Sequence, residues 1–300
     1  MHNAMHHSDL RIIELSEVTA KVKSMILSAN YNLGEDIKAK LNDAIKTEES
    51  ETGINILNQL LENAQIAANK KMPICQDTGI AVFFLEIGED IHFHNDLAIE
   101  KMQPLQSGIE QAINEGVRQG YTDGYLRKSI VKDPFDRVNT GDNTPAVIHY
   151  NIVPGRQLKI YFSPKGIGSE NMSRIYMLKP SEGMEGVKRV VLETIEAAGP
   201  NPCPPIIVGV GVGGSFEKAA ILAKKSLLRP INQTSEDEVI ARLERDILNA
   251  ANDLGIGPQG FGGRTTALSV NILTYPTHIA GLPVAVNMSC HATRHAEIVI

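Results

Sequence analysis

The sequence predicts an α/β (α+β) fold in which an N-terminal helical layer is followed by a mixed-sheet region. Three observations carry this prediction: helical periodicity in the first quarter of the chain, short β-rich apolar runs after it, and amphipathic segments between those runs. No internal repeat is evident. We therefore expect a helical segment at residues 1–71 and an α/β region at residues 72–300, which together form one domain.

The composition is that of a globular protein and not of a nucleic-acid or membrane protein. Of 300 residues, 42% are apolar and 21% are charged, and the net charge is -6 without a basic cluster. No apolar run approaches the roughly 18 residues of a spanning helix, and the first residues lack the order of a signal peptide. Base-stacking platforms are not evident, because Trp is absent and aromatics are 5%. We expect a cytoplasmic protein that acts on small molecules.

The helical layer is predicted over residues 12–71, where apolar side chains recur at helical spacing. It ends at the stretch MPICQDTG, residues 72–79. Pro73 and Gly79 predict a turn there, which displays a thiol, an amide and a carboxylate. The apolar run at residues 80–87 predicts a buried strand directly after this turn.

The middle of the chain is predicted to contain a helix, a long polar loop and a hairpin. The helix covers residues 97–118. The loop at residues 120–145 is rich in Asp, Gly, Asn, Thr and Pro, and it is longer than a mere connector. Strands at residues 147–153 and 158–162 alternate around a Pro-Gly turn, which predicts a hairpin before a glycine loop at residues 165–171.

The last third of the chain alternates between predicted helices and buried strands. The predicted helices are residues 181–198, 215–228 and 236–252, and the predicted strands are residues 206–210, 267–273 and 282–288.

The glycine run at residues 209–214, GVGVGG, satisfies G-x-G-x-x-G between a strand and a helix, which is the setting of a dinucleotide-binding fingerprint. The acidic residue expected to close a second strand about 20 positions later is missing, because Glu236 and Asp237 open a helix. We interpret the glycines as a strand-to-helix turn that packs closely. A dinucleotide-dependent oxidoreductase remains a rival from another class.

The three cysteines, Cys75, Cys203 and Cys290, are the strongest candidates for chemistry. Their odd number, in a chain without an export signal, argues against a disulfide framework. Each is flanked by turn-forming and polar residues, whereas a structural cysteine usually lies within an apolar element. From the residues alone, two roles for these cysteines are equally open: packing as small apolar side chains, or binding a ligand.

Three thiolates can hold a 4Fe-4S cluster by three of its four irons, which leaves the fourth iron open to substrate as a Lewis acid. The cysteines lie far apart in the sequence, unlike the compact spacing of an electron-transfer ferredoxin.

Several motifs follow one another along the chain: CQDTG at 75–79, NTGDN at 139–143, KGIGS at 165–169, CPP at 203–205 and LGIGPQG at 254–260. This order resembles the class I, iron-sulfur fumarate hydratases and tartrate dehydratases. The similarity runs from the first helices to the last residues, and the chain is most similar to the alpha subunit of the two-subunit form. The resemblance implies an iron-sulfur hydro-lyase alpha-type fold with residues 72–300 as the cluster-binding region.

The resemblance implies roles for the residues that match. Cys75, Cys203 and Cys290 would bind the 4Fe-4S cluster. Gln76 and Asp77 would contact the substrate beside it, Asp77 also as a catalytic residue.

Three further positions match at a distance from the cysteines. Arg127, in YLRKS, matches an arginine that binds a substrate carboxylate. Gly168 aligns with a glycine whose backbone touches the ligand, although the family commonly has three consecutive glycines at this loop. His278, in PTHIAGLP, aligns with an active-site histidine that is both catalytic and substrate-binding. The residues alone would also fit a surface cation at Arg127 and a loop histidine at His278.

The implied reaction is the reversible trans addition of water to fumarate, giving (S)-malate, as in the tricarboxylic acid cycle. The open iron would polarise the hydroxyl, and a base would handle the C3 proton. In the family this base, a threonine, and further Arg and Lys contacts come from a second domain or a beta subunit. The chain ends at Ile300 without such a domain, so we expect it to be inactive alone and to form a hetero-oligomer or an alpha–alpha dimer.

Two more alternatives remain open. An L-tartrate dehydratase alpha subunit would share the cluster and differ in the substrate, and the loop at 165–171 looks more like the fumarate type. A non-catalytic scaffold subunit would bind neither iron nor NAD.

Overall fold

The structure, a computed structural model, describes residues 10–96 and 108–300. Its contacts divide the chain into two compact units. The first unit is built from the chain up to Tyr31, Lys71–Lys165 and Arg294–Ile300, and the second unit from Asn32–Lys70 and Gly166–Thr293. This division crosses the predicted boundary at residue 71, and the predicted segments 1–71 and 72–300 remain predictions.

Among the described residues of the first unit, the strands form two sheets. Their strands are β1 (Arg11–Glu14), β2 (Ile80–Gly88), β3 (Ile91–His94), β4 (Val147–Val153), β5 (Leu158–Lys165) and β10 (Ala296–Val299). β1 and β3 form a parallel pair, and the other four strands form a mixed sheet in the order β10-β5-β2-β4. The strand predicted at 80–87 is therefore confirmed as β2, one of the two central strands of that sheet.

The predicted hairpin between residues 147–153 and 158–162 is wrong. Both segments are strands, but β4 pairs parallel with β2 and β5 pairs antiparallel with β2, so β2 lies between them. β2 is buried along most of its length. A central position pairs both edges of β2 with neighbouring strands, and the burial of β2 outweighs the local pairing that the Pro-Gly turn suggested.

Helices α1 (Leu15–Tyr31) and α4 (Gly108–Asp123) pack against each other and against the mixed sheet of the first unit. Their close approach depends on a small residue, because a Cβ on Gly116 would lie 2.7 Å from the Val22 side chain. The helix predicted at 97–118 is described only from Gly108, and its first part lies outside the described residues.

The second unit contains the remaining helices and one four-stranded sheet. The helices are α2 (Glu35–Thr47), α3 (Glu51–Lys70), α5 (Ile167–Glu170), α6 (Gly183–Ala198), α7 (Phe216–Ser226) and α8 (Glu238–Asn252), and the strands are β6 (Arg174–Leu178), β7 (Ile206–Gly213), β8 (Ala267–Tyr275) and β9 (Leu282–Ser289). The sheet order is β6-β9-β7-β8, with β7 parallel to β8 and antiparallel to β9.

Strand β7 explains the glycine run at 209–214. Its alternate residues, among them Val208 and Val210, pack into the core formed with α6 and α8. Gly209 and Gly211 point the other way, where an added Cβ would lie 2.2 Å and 2.1 Å from backbone oxygens of α7. The interpretation as close packing is confirmed, although these two glycines lie within the strand and not in the turn after it. The helix backbone occupies the space beside them, so the dinucleotide reading loses its support.

The predicted α/β (α+β) class, with N-terminal helices before mixed sheets, is confirmed. The short strands β1, β3, β6 and β10 are not predicted from the sequence. Within the described residues, no helix combines the length and the apolarity that crossing a lipid bilayer requires.

Candidate active site

The 75–79 turn, which carries Cys75, Gln76 and Asp77, is closed by two hydrogen bonds. The N–H of Asp77 donates to Cys75 Sγ at 3.4 Å, and the N–H of Gly79 donates to Asp77 Oδ1 at 3.1 Å. Gly79 has a φ of 72°, and a Cβ there would lie 2.7 Å from the Lys165 backbone, so only glycine fits. The turn thus gives the Cys75 sulfur an N–H donor and leaves Gln76 exposed.

Buried side chains hold two successive carbonyls of this turn. The Tyr121 hydroxyl lies 2.7 Å from Thr78 O and 3.2 Å from Gly79 O, and Asn143 Nδ2 donates to Gly79 O at 3.2 Å. Tyr121 and Asn143 are both fully buried. Burial raises the pKa of Tyr121, so its hydroxyl keeps the proton that it donates.

A buried guanidinium holds the carbonyl before these two. Arg294 is 3% exposed; its Nη2 donates to Asp77 O at 2.8 Å and its Nη1 to Asn30 Oδ1 at 3.1 Å, whereas its Nε has no hydrogen-bond partner. A guanidinium stays charged in proteins. Arg294 therefore places a permanent positive charge beside the backbone of Asp77, which favours anions near the turn.

Arg127 lies in a loop that is hydrogen-bonded to the same turn. Thr78 Oγ1 donates to Arg127 O at 2.8 Å, and Asn143 Oδ1 accepts from the Ser129 N–H at 2.7 Å. Arg127 itself is exposed. The structure thus brings together four predicted site residues within the first unit, namely Cys75, Gln76, Asp77 and Arg127.

The other two cysteines meet at one edge of the sheet in the second unit. Cys203 precedes β7, Cys290 follows β9, and these antiparallel strands pair with Ile207 opposite Ser289. The start of β7 and the end of β9 therefore emerge side by side. The segment before β8 reaches the same edge, because β8 runs parallel to β7 and pairs Ala267 with Ile206.

Cys203 lies in a tight turn, which we call the 203–205 turn, where Cys203 is exposed and Pro204 and Pro205 are buried. The φ of Cys203 is 57°, and its N–H donates to Pro200 O at 3.0 Å. The turn is joined to the residue after Cys290: the His291 N–H donates to Cys203 O at 3.5 Å, and His291 Nδ1 lies 3.1 Å from the same oxygen. Cys290 is half-buried, and its carbonyl accepts from Thr293 Oγ1 at 2.8 Å.

Gly168 lies in α5, within the predicted glycine loop. It is exposed, and a Cβ there would meet no atom within 4 Å, so its backbone is open to a ligand. Glu170 of the same helix accepts from Asn287 Nδ2 on β9 at 2.8 Å. The glycine loop is therefore attached to the strand that ends at Cys290.

His278 lies at the other end of the same sheet. It is exposed in the connection from β8 to β9, where it lines a largely apolar cavity of about 330 Å³ with residues such as Val187 and Leu243. Strand β9, of 8 residues, separates this connection from Cys290, a span of about 25 Å at 3.3 Å per residue. The structure does not bring His278 to the edge that carries Cys203 and Cys290.

Sequence reasoning missed the side chains that hold the two turns. The NTGDN motif contains Asn143, but no role was drawn from it, and Gln259 went unassigned inside LGIGPQG. Nothing local distinguishes Tyr121 from an ordinary helix residue. Arg294 carried one usable signal, because it follows Cys290 by four positions in a chain segment that must lie near the cysteine.

The donor set has the chemistry that an iron-sulfur cluster requires. All three cysteines lie within the described residues as thiols, half-buried or exposed, and each is set in a turn. Cys75 already accepts an N–H hydrogen bond at its sulfur, as cluster ligands commonly do. Over the residues that the structure describes, no three His, Cys, Asp or Glu side chains form a group that could bind a metal ion.

A protein-family model described as "Fumarate hydratase (Fumerase)" matches residues 19–299. The chain belongs to the iron-sulfur hydro-lyase family of fumarate hydratase and tartrate dehydratase alpha subunits. The resemblance stated from the motifs is thereby confirmed.

Two relatives are similar over nearly their whole length. The "Putative L(+)-tartrate dehydratase subunit alpha" of Methanocaldococcus jannaschii is 42% identical over 285 residues, which are 93% of this chain and 96% of that protein. The "L(+)-tartrate dehydratase subunit alpha" of Escherichia coli K12 is 32% identical over 293 residues, 96% of this chain and 91% of that protein.

Proposed function

We propose that this chain is the alpha-type subunit of an iron-sulfur hydro-lyase that acts on a four-carbon dicarboxylate. The observation that carries the proposal is the 75–79 turn, which presents a thiol, an amide and a carboxylate and is hydrogen-bonded to the Arg127 loop. A cluster ligand, polar substrate contacts and a cation for a carboxylate thus come from one small region of the first unit.

L(+)-tartrate is the substrate that the relatives support best, because both relatives described above bear its name. Fumarate, preferred from the sequence, is the second candidate. It is supported by the description of the family and by the loop at 165–171, which resembles the fumarate type. The two molecules share both carboxylates, so the same cation and amide contacts would serve either.

Cys75, Cys203 and Cys290 would hold a 4Fe-4S cluster. When bound, the cluster would supply an iron without a protein ligand, a Lewis acid for the hydroxyl group that leaves or enters. The N–H of Asp77 would hydrogen-bond the ligating sulfur of Cys75 and so influence the electronic properties of the cluster.

The substrate carboxylates would be bound by Arg127 and oriented by Gln76. A planar guanidinium can grip one carboxylate with two parallel hydrogen bonds. The backbone of Arg127 is fixed by Thr78 while its side chain is exposed. Asp77 would accept a hydrogen bond from the substrate hydroxyl, and the open backbone at Gly168 would let the ligand approach closely.

His278 would act as a proton donor to the substrate. Its Nδ1 accepts the Ala280 N–H at 3.2 Å, so the ring proton lies on Nε2. Because His278 lies at the opposite end of β9 from Cys290, this role requires a second copy of the chain to deliver it. An alpha–alpha dimer is therefore part of the proposal.

A beta subunit would complete the site. The relatives are alpha subunits by name. By the resemblance, the base for the C3 proton, a threonine, and further Arg and Lys contacts would come from this partner. The chain alone would then bind iron without turning over substrate.

The substrate assignment is tested by anaerobic turnover after reconstitution with iron and sulfide, with and without the beta partner. L(+)-tartrate, D(−)-tartrate and fumarate are supplied in turn and the products are separated by chromatography. Faster turnover of L(+)-tartrate supports the first candidate, and faster turnover of fumarate the second. A preparation with full iron content and both subunits that turns over none of them contradicts the proposal.

The ligand assignment is tested by changing Cys75, Cys203 and Cys290 singly to Ser. Each variant should lose iron, sulfide and visible absorption. The exposed neighbour Met72 supplies the control, since Met72→Leu should leave all three unchanged. Retention of stoichiometric iron and sulfide by all three serine variants would show that the ligands are wrong.

A further inference from the structure

Gln259 lies at the edge of the second unit where Cys203 and Cys290 meet. It belongs to the segment before β8, in LGIGPQG, and has a φ of 53°, a left-handed conformation that residues with a Cβ seldom adopt. Its backbone N–H donates to Pro204 O at 2.8 Å, and its side-chain Nε2 donates to the same oxygen at 2.7 Å. The carbonyl that follows Cys203 is thus held twice by one residue.

The same side chain reaches the residue after Cys290. Nε2 of Gln259 lies 3.0 Å from His291 Nδ1. An amide nitrogen only donates, and it carries two hydrogens, so one can serve Pro204 O and the other His291 Nδ1. His291 Nδ1 accepts from this amide when the ring proton lies on Nε2, and it donates to Cys203 O, 3.1 Å away, when the proton lies on Nδ1. In both tautomers the His291 backbone N–H donates to Cys203 O.

When His291 Nδ1 accepts, one amide connects the residue after Cys203 with the residue after Cys290. Both contacts require a donor at this position. A carboxylate of the same length would repel Pro204 O, and an apolar side chain would leave that oxygen and His291 Nδ1 without the amide hydrogens.

We infer that Gln259 is a positioning residue for the iron-sulfur cluster, because its amide sets the spacing of the Cys203 and Cys290 thiols. This inference rests on the proposed function, since the thiols need a cluster to bind. Gln259 touches neither sulfur nor substrate in this role. Groups that orient metal ligands commonly govern how tightly the metal is retained.

The test compares iron retention in Gln259→Leu and Gln259→Glu with that of the unchanged chain. Each full chain is reconstituted anaerobically with iron and sulfide and then challenged with a chelator. Retention should fall about 10- to 100-fold in both variants. The visible and electron paramagnetic resonance spectra of the remaining cluster should also change, because the two sulfurs are no longer held at one spacing.

A control variant separates this effect from general destabilisation. Thr194 is buried in α6, where its hydroxyl donates to Val190 O at 2.6 Å and lies 2.9 Å from the Tyr176 hydroxyl. Thr194→Val removes a buried hydrogen bond in the same unit at a site apart from the cysteines. It should lower the unfolding midpoint while iron retention and spectra stay as in the unchanged chain.

The outcomes distinguish a failure of the Gln259 inference from a failure of the proposed function. If the unchanged chain binds no cluster, the proposed function fails and the inference fails with it. If that chain binds a cluster and both Gln259 variants retain it with unchanged spectra, only the inference is overturned. If Gln259→Glu behaves like the unchanged chain while Gln259→Leu does not, the size and shape of the side chain matter and its hydrogen-bond donation does not. That result would overturn the amide bridge. Should Gln259→Leu fail to fold, the Glu variant alone decides.

Discussion

The 75–79 turn and the 203–205 turn each present a cysteine, but they are stabilised differently. In the first unit, buried Tyr121 and Arg294 donate to backbone carbonyls of the turn. In the second unit, Cys203 is exposed, Pro204 and Pro205 are buried, and the turn is held by Gln259, a half-buried residue of a neighbouring loop. The donors to the first turn are thus buried, whereas the donor to the second turn is only half-buried.

This difference predicts what each set of contacts controls. A donor that is buried beneath a turn contributes to folding, because its loss leaves a buried acceptor unpaired. A half-buried donor can be replaced by water, so its loss changes the geometry of the turn more than the stability of the unit. Variants around the 75–79 turn should therefore lower the free energy of unfolding, and Gln259 variants should chiefly lower iron retention.

The largest effect is expected for Arg294→Met, which removes the donor from Asp77 O and Asn30 Oδ1. Leaving the buried Asn30 Oδ1 and the half-buried Asp77 O without this donor should cost roughly 2–5 kcal/mol of unfolding free energy, measured by chemical denaturation. Arg174 is the matched control, because it is exposed and also donates to backbone carbonyls, at Asn171 and Ser173. Arg174→Met should change stability by less than about 0.5 kcal/mol. Equal losses of unfolding free energy in Arg294→Met and Arg174→Met would show that the buried donor to the 75–79 turn contributes no more to stability than an exposed one.

The next effect concerns a buried anchor in the second unit. Glu48 is 6% exposed and accepts the N–H groups of Ser50, Arg264 and Thr265 at 3.0, 2.9 and 2.7 Å. Burial acts to raise its pKa, but these N–H groups outweigh burial and lower the pKa from 4.5 to about 2. Glu48 thus fixes the loop that follows LGIGPQG, so the second unit also contains a buried anchor that contributes to folding.

The sign of the pH dependence follows from that lowered pKa. The native carboxylate stays ionised where the unfolded one takes up a proton, so its contribution, about 3 kcal/mol, is complete above pH 4.5 and is lost as the pH falls to about 2. Glu48→Gln should lose about that amount at pH 7 and show a flatter acid unfolding profile. Glu49→Gln, at the exposed neighbour, should leave the profile unchanged. A Glu48→Gln profile parallel to that of the unchanged chain would contradict the assignment.

A smaller loss is expected for Tyr121→Phe, which removes only the hydroxyl. Thr78 O and Gly79 O then lose a shared donor, although Asn143 still serves Gly79 O. We expect a loss of about 1–2 kcal/mol in thermal or chemical unfolding. Tyr125→Phe is the control, because Tyr125 is 92% exposed, and it should be neutral. No loss at Tyr121 would mean that water replaces its hydroxyl, as we expect only for the 203–205 turn.

The smallest change in stability is expected for Thr78→Val, which breaks the bond from the 75–79 turn to Arg127 O. The cost in unfolding should be about 1 kcal/mol. If Arg127 binds a substrate carboxylate, KM should rise about fivefold, the equivalent of about 1 kcal/mol, with kcat less affected. The exposed Thr122 allows a matched Thr122→Val control. An unchanged KM would show that Arg127 does not bind the substrate, and it would not affect the structural role of the turn contacts.

Helices of the second unit were predictable because their signals are local. The pattern at 236–252 corresponds to α8, and Asp237 caps it by accepting the Val239 and Ile240 N–H groups. The order of strands was not predictable in the same way. β4 and β5 are close in sequence, but their shared partner β2 lies some 60 residues or more before them, and no local pattern encodes which strand occupies the centre.

The same distinction applies to the candidate site: some of its features follow from the local sequence, and others depend on residues far apart in the chain. The thiol, amide and carboxylate of the 75–79 turn could be read from one stretch, and the cysteine positions from their flanks. The residues that support these turns could not be read from the local sequence. Arg294 lies 217 positions from Asp77, and Gln259 lies 55 positions from Pro204. The local sequence around His278 does not show how far it lies from Cys290, because strand topology determines that distance. The role of His278 therefore remains a prediction.

The strand and the arginine that complete the first unit, β10 and Arg294, have a consequence for biosynthesis. A ribosome makes the chain from the N-terminus, and domains usually become able to fold in that order. Here every residue of the second unit, up to Thr293, is polymerised before Arg294. The first unit, begun earlier, therefore still lacks a strand of its sheet and the cation beside Asp77 when the last residue of the second unit is added. Arg294 thus cannot secure the turn that carries the earliest cysteine until the second unit has been polymerised in full.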